Sequence, residues 1–335
     1  VSSRAGSRPR SLFDPFVAAI FAALGAGLAL PASGQAAAAL ATTRTAAIAV
    51  LFALYGARLR TGEVWAGLRN LPLQASCLAV TFGLYPLLAW ALVAAAGPWL
   101  GAFAAGVLYL GLLPSTVQSA VTFTSIAGGN VAGAVVAATV STLVGVVATP
   151  LLVALLMGAH ATVGLAQFWA VCLQLLVPFA CGQLAQPLIG QRLRARPRLT
   201  RLWDQGTIVL IVYASISAAT LAGTWRTVTP LTLAVLLTAC LVLLVPVMAV
   251  TWWGGARLGL LRADRITLLM CGSTKSLATG LPMAAVLFTP AVLATVTVPV
   301  VVFHQLQLAV KAVVARRLGS HPPPVAASSP PGGGQ

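Results

Sequence analysis

Charge is scarce in this sequence. Of its 335 residues, 7% are Asp, Glu, Lys or Arg, against about 25% in a soluble globular domain, which excludes a soluble fold. Acidic groups are scarcest: Asp14, Glu63, Asp204 and Asp264 are all of them, and each is expected near an interface. That disfavours proton carriage on a mid-membrane carboxylate and catalysis by an acid pair. Five cysteines (Cys77, Cys172, Cys181, Cys240, Cys271) are scattered through apolar runs without metal-site spacing. Free buried thiols and no metal or cofactor are therefore expected. Lysine is nearly absent beside abundant arginine, which suggests GC-rich coding and hence a bacterium. The short alternating segments of a lipid-facing barrel are missing too.

What is present is apolar length. The chain is 59% hydrophobic, and stretches of about 20 apolar residues recur from Leu12 to Val314, as in a multi-pass helical membrane protein. Ten spans can be drawn: Leu12–Leu30, Thr43–Ala57, Leu71–Ala95, Leu100–Ala127, Val131–Met157, Val163–Leu188, Gln205–Ala222, Thr229–Trp253, Ala263–Leu287 and Ala291–Val314. Ten spans place nearly all arginines on one side, with Lys311, Arg316 and Arg317 read as following the last span; Arg44, Arg226 and Lys275 are the exceptions. Positive loops stay inside, so both termini are expected in the cytoplasm and the chain in a bacterial inner membrane. The net charge of +16 then reads as a topology signal, not as a nucleic-acid surface. The first span, with Asp14 at its start, is read as a retained helix and not a cleaved signal.

The Arg-rich stretch 191–204 is read as a cytoplasmic connector that splits the chain five spans to five. Segment 1–11 is an N-terminal extension, 12–157 the first repeat, 158–190 and 205–318 the second, and 319–335 a disordered tail. An odd number of spans per half forces opposite orientations, the inverted-repeat plan of many secondary transporters. The fourth and ninth spans occupy matched places, and both are interrupted by polar and helix-breaking residues. One reads Leu113-Pro114-Ser115-Thr116-Val117-Gln118-Ser119; the other runs from Gly272 through Ser273, Thr274, Lys275 and Ser276 to Pro282. Hydroxyls there can bond back to their own helix. Two such segments in matched places instead point to discontinuous helices around a binding site, with Ser115, Thr116, Gln118, Ser119, Cys271, Ser273, Thr274, Lys275 and Ser276 as candidate substrate- or ion-binding residues. Thr81, Thr122, Asn130 and His304 are possible accessory groups; Asn130 also reads as a simple helix cap.

Lys275 stands out among them. It lies ten residues after Arg265, about 15 Å at helical rise, or half of a ~30 Å hydrocarbon core. An ammonium there costs about 2.5–3.5 kcal/mol on insertion scales, and its stem, about 6 Å long, cannot reach the interface. It is expected to point inward, to hydroxyls or carbonyls of the fourth and fifth spans.

At these residues the chain resembles the bile acid:sodium symporter family, in the branch that includes bacterial homologues and the seventh member of vertebrate solute carrier family ten. The resemblance rests on Ala127-Gly128-Gly129-Asn130, on Ser141-Thr142-Leu143, on Cys271 to Met283 and on Phe303-His304-Gln305-Leu306-Gln307. It implies ten helices, a panel and a core domain, and broken fourth and ninth helices that cross. Sodium-coupled members hold two sodium ions behind that crossing. They use a Ser-Asn pair in the fourth helix, Ser/Thr in the fifth, and a Glu followed by a Gln in the ninth. Here those places look like Ser119-Ala120, Ala134 and Ala138, Cys271 and Lys275; in the third helix Thr81 precedes Pro86 where the family carries an amide. The expectation is a secondary transporter of a small organic anion, with Lys275 in place of a sodium ion and proton coupling or uniport favoured over sodium. A non-transporting membrane regulator on the same fold and a conventional sodium symporter are the alternatives.

Overall fold

The computed structural model describes residues 15–59, 70–157 and 165–320. Asp14, Glu63, Arg60, Arg69, His160 and the terminal segments 1–11 and 321–335 lie outside the described residues. Within them all regular structure is helical. In chain order the helices are α1 (Pro15–Ala29), α2 (Gly34–Arg58), α3 (Leu71–Ala79), α4 (Tyr85–Leu100), α5 (Ala104–Gly111), α6 (Val117–Ile126), α7 (Val131–Met157), α8 (Leu165–Ala195), α9 (Pro197–Leu221), α10 (Pro230–Arg257), α11 (Arg262–Gly272), α12 (Leu277–Leu287) and α13 (Pro290–Gly319). Seven helical runs are long and apolar enough to cross a membrane: α2, the run from α3 to α5, α7, α8, α9, α10 and α13. The pairs α5/α6 and α11/α12 are short pieces of 8, 10, 11 and 11 residues. Each piece covers only about 12–17 Å of rise, half of a bilayer core.

Local chemistry sets the ends. Asn70 caps α3 and Thr229 caps α10, each accepting from the N–H three residues on, and a proline follows in the first turn of both. Between α3 and α4 the chain makes one π-helical turn, Val80–Leu84. Two expectations about helix ends are corrected. α2 begins at Gly34, not Thr43, because the run of alanines before Thr43 has high helix propensity. The stretch 191–204 is not a loop: α8 runs to Ala195, Arg196 stands alone, and Pro197 opens α9. Arginine favours helix, so both helices continue beyond the apolar layer. α13 likewise runs on to Gly319 and takes Lys311 into its body.

α1, α2, α8 and α9 pack on one another; α3 to α7 and α10 to α13 pack together, and α9 bridges to α12 and α13. α2 and α8 touch along their lengths. A Cβ on Gly56 would strike the Phe179 backbone, and one on Gly182 the Ala53 backbone. Small residues let the two backbones meet where apolar transfer gives no drive, as is usual between membrane helices.

Candidate functional site

The first break follows Gly111. Leu112 and Leu113 close the helix with tight i→i−3 bonds, Pro114 has no N–H to donate, and Thr116 is extended (φ −109°, ψ 138°) before α6 starts. Carbonyls freed inside an apolar bundle need donors, and each of these four has one. Thr149 Oγ1 donates to Leu112 O at 2.8 Å, and Ser276 N to Pro114 O at 2.8 Å. Lys275 Nζ donates to Gly111 O at 2.9 Å and to Leu113 O at 2.7 Å.

The third proton of that ammonium goes to Thr81 O at 2.9 Å. The π-turn explains why this carbonyl is available. Tyr85 N–H bonds Val80 O, skipping Thr81, and the next residue is Pro86, which has no N–H. Tyr85 closes the pocket with its ring, whose centroid lies 4.2 Å from Nζ, a desolvated cation–π contact worth about 2 kcal/mol. Lys275 is 1% exposed. It points inward as expected, but to carbonyls preceding and within the first break; none of the three comes from α7.

The second break is closed mostly by its own side chains. Ser273 and Thr274 hydroxyls bond back to Leu269 O and Met270 O on α11. Tyr85 OH donates to Ser273 O at 2.8 Å. The Gln307 amide clips the Lys275 backbone at both ends, accepting from its N–H at 2.9 Å and donating to its carbonyl at 2.8 Å. Ser276 caps α12 by accepting from Thr279 N at 3.2 Å. The two breaks are tied directly by Ser115 Oγ, which donates to Cys271 O at 2.7 Å.

A cavity of about 840 Å³ opens beside the breaks. Thr116, Gln118, Ser119, Thr122, Ser276 and His304 line it, with Tyr55, Arg58, Arg201, Asp204, Thr139 and Thr142 and apolar walls that include Phe16, Phe179 and Leu277. Arg58 on α2 reaches Asp204 on α9 at 3.3 Å and lies over the Tyr55 ring. Ser115, Cys271, Ser273, Thr274, Lys275 and Thr81 are buried, and none is among the cavity-lining residues. The candidates thus form two sets, one facing open space and one sealed behind it. Asn130 belongs to neither: its Oδ1 caps α7 through Gly133 N at 2.8 Å, and its Nδ2 donates to Asp264 at 2.8 Å, beside Asn70 at 2.9 Å.

One residue was misread. Lys311 is no topology signal past a span; it is 1% exposed, and its Nζ donates to Met270 O at 3.1 Å and to Thr274 Oγ1. The helical spacing of His304, Gln307 and Lys311 was the available sign, because it puts all three on one stripe of α13. Lys275 and Lys311 are the two lysines of the sequence.

A multi-pass helical bundle with two paired mid-helix breaks beside a mixed polar and apolar cavity is the build of a membrane transporter. The comparisons with known proteins agree. The model of the SBF-like CPA transporter family matches residues 14–320, and the chain belongs to that family. It is 43% identical over 314 residues to PA2026, an uncharacterised protein of Pseudomonas aeruginosa, covering 93% of this chain and 94% of that one. It is 40% identical over 311 residues to YfeH of Escherichia coli (strain K12), whose name puts it forward as a symporter, at 91% and 93% coverage. It is 24% identical over 283 residues to sodium/bile acid cotransporter 7 of Rattus norvegicus, at 82% of each chain.

Proposed function

We propose that this protein is a secondary transporter of a small organic anion in a bacterial inner membrane, and that Lys275 does there the work of a sodium ion. The observation that carries the reading is the ammonium itself. It is fully buried, sits over an aromatic ring, and is held by three carbonyl oxygens with no carboxylate among them. Backbone oxygens converging on a cation at mid-membrane are what a broken-helix transporter offers to an alkali ion. A tethered ammonium in that position leaves no ion to be carried through, so transport is sodium-independent, either by uniport or with protons.

An anion fits the cavity on two counts. α6 begins at its wall with an N-terminus whose Ncap residue, Thr116, makes no capping bond, and Ser119 Oγ is buried there without a partner. Uncapped helix N-termini attract anions. Arg58 and Arg201 add positive charge, offset in part by Asp204, and the apolar walls suit an organic body.

In this reading the chain has ten membrane helices in two inverted repeats, with α5/α6 and α11/α12 as their matched broken helices. α1, α2, α8 and α9 form the panel, the remaining helices form the core, and both termini are cytoplasmic. The test is thermal unfolding in detergent with sodium or potassium chloride, followed by solute uptake into liposomes. The wild-type protein is expected to unfold at the same temperature in either salt and to show saturable uptake of some organic anion. Strong, saturable stabilisation by sodium would overturn the substitution.

A further inference from the structure

The two buried lysines are held by different chemistry. Lys275 gives its three protons to three carbonyl oxygens. A carbonyl accepts and never donates. A neutral amine in that cage would turn its lone pair onto one of those oxygens and leave that oxygen without a donor, at about 1–3 kcal/mol. The cage therefore favours the ammonium over the amine by that amount.

Lys311 sits in a triangle with Met270 O and Thr274 Oγ1, all three mutually in contact. The break supplies the acceptor: Thr274 N bonds Cys271 O, at 3.3 Å, so Met270 O lacks its helical donor and takes side-chain ones. A hydroxyl both donates and accepts. With Lys311 charged, Thr274 accepts from it and donates to Met270 O. With Lys311 neutral, the hydroxyl can rotate to donate to the amine lone pair, while a remaining N–H of Lys311 keeps Met270 O satisfied. Each state leaves one N–H of Lys311 over, so the exchange strands no further polar atom.

We propose that Lys311 is the proton-binding site of this protein, and that Lys275, held by three acceptors, keeps its charge while Lys311 exchanges. Read with the transport function above, on which only its role in coupling rests, Lys311 would be the group that carries the coupled proton. The exchange balances simply: the ammonium gives one proton to water and the amine takes one back. Leu308 and Ala312 on α13 line the cavity, so the cavity reaches the helix that carries Lys311, whose own side chain is buried behind it.

The surroundings leave Lys311 the group free to change. On α11 the Cys271 thiol faces it, while Arg262 donates to Leu318 O, Asp264 accepts from Asn70 and Asn130, and Arg265 lies over the Trp252 ring; on α13 His304 is its ionisable neighbour and Arg316 and Arg317 lie in the last turn. α6 and α12 carry no ionisable side chain. On α5, Tyr109 donates to Gly280 O. On α9, Asp204 pairs with Arg58, Tyr213 donates to Leu30 O, and Arg198 and Arg201 lie in the first turns. α10 carries the buried Cys240, and Arg257 at its C-terminal end.

Having two lysines makes the test direct. Full-length protein in detergent micelles, labelled with 13C- and 15N-lysine, gives one side-chain signal for each. The Lys275 signal is recognisable without mutation, because the Tyr85 ring displaces its Cε protons. Across the pH range in which the protein stays folded, the other signal is expected to titrate reversibly and the ring-shifted one to hold still. Lys311→Arg should remove the titrating signal and leave the other unchanged. A Lys311 signal that never moves, or a Lys275 signal that titrates, would overturn the proposal. Titration of Lys311 in a protein with no solute flux would support the proton site and remove only the transport reading. Flux through a protein whose Lys311 stays static would overturn the proton site and leave that reading standing.

Discussion

The breaks at 112–116 and 273–276 look alike as sequence, each carrying hydroxyls, with Pro114 inside the first and Pro282 soon after the second, yet they are built in different ways. The second is closed largely by its own hydroxyls, with Gln307 and Tyr85 added from other helices. Its hydroxyls bond back to α11, Gln307 clips its backbone, and Ser276 caps the helix that follows. The first is closed from outside: its carbonyls rely on Lys275, Thr149 and Ser276, while the helix that follows starts uncapped at the cavity. The lesson is that hydroxyls near a broken helix are not interchangeable. Those of Ser273, Thr274 and Ser276 serve the backbone, and those of Thr116 and Ser119 face the cavity.

The sharpest way to break this comparison is to remove the outside donor. Lys275→Ala leaves three buried carbonyls unserved at about 1–3 kcal/mol each. We expect the largest loss of thermal stability of any substitution at the breaks, loss of uptake, and partial recovery with sodium but not with choline. Equal recovery in both salts would show that no cation site had been vacated. Next comes Gln307→Leu, which orphans an N–H and a carbonyl of the second break; about 2–6 kcal/mol is expected from denaturation midpoints, with no gain on adding sodium. Tyr85→Phe keeps the ring over Lys275 and removes only the bond to Ser273 O, for about 1 kcal/mol. If it matched Lys275→Ala, the hydroxyl and not the ammonium would be holding the crossing.

The smallest effects distinguish the two helix starts. Ser276→Ala removes a cap and should cost about 1 kcal/mol. Thr116→Ala removes none and should leave the unfolding temperature where it was, while weakening binding of an anion to the cavity. Identical stability losses at the two positions would erase the distinction between a sealed break and an open one.

Much of this was legible in sequence because the signals were strong ones. Long apolar runs mark helices, and a lysine deep in such a run must be held by something; both readings survive with Lys275 in its cage. Helix ends were less legible, because the small alanines before Thr43 and the charged arginines after Gly190 fall outside a strongly apolar run yet favour helix by propensity. Lys311 was lost to its neighbours: lying close to Arg316 and Arg317, it read as part of a basic end, although its helical spacing put it beside Gln307. The cage itself could not be read at all. It depends on one skipped hydrogen bond at Thr81 and on carbonyls turned by Pro114, which are backbone events with no residue signature beyond a proline and a π-turn.

The burial of both lysines has a practical side. Lys275 and Lys311 are each 1% exposed and are the two lysines of the sequence, so a reagent that acylates lysine amines finds no lysine to attack on the folded chain. Acylation at Lys275 or Lys311 would then keep time with opening of the bundle. A mass increment at either position, read by peptide, would clock how often each break comes apart, with no label introduced and no ligand known.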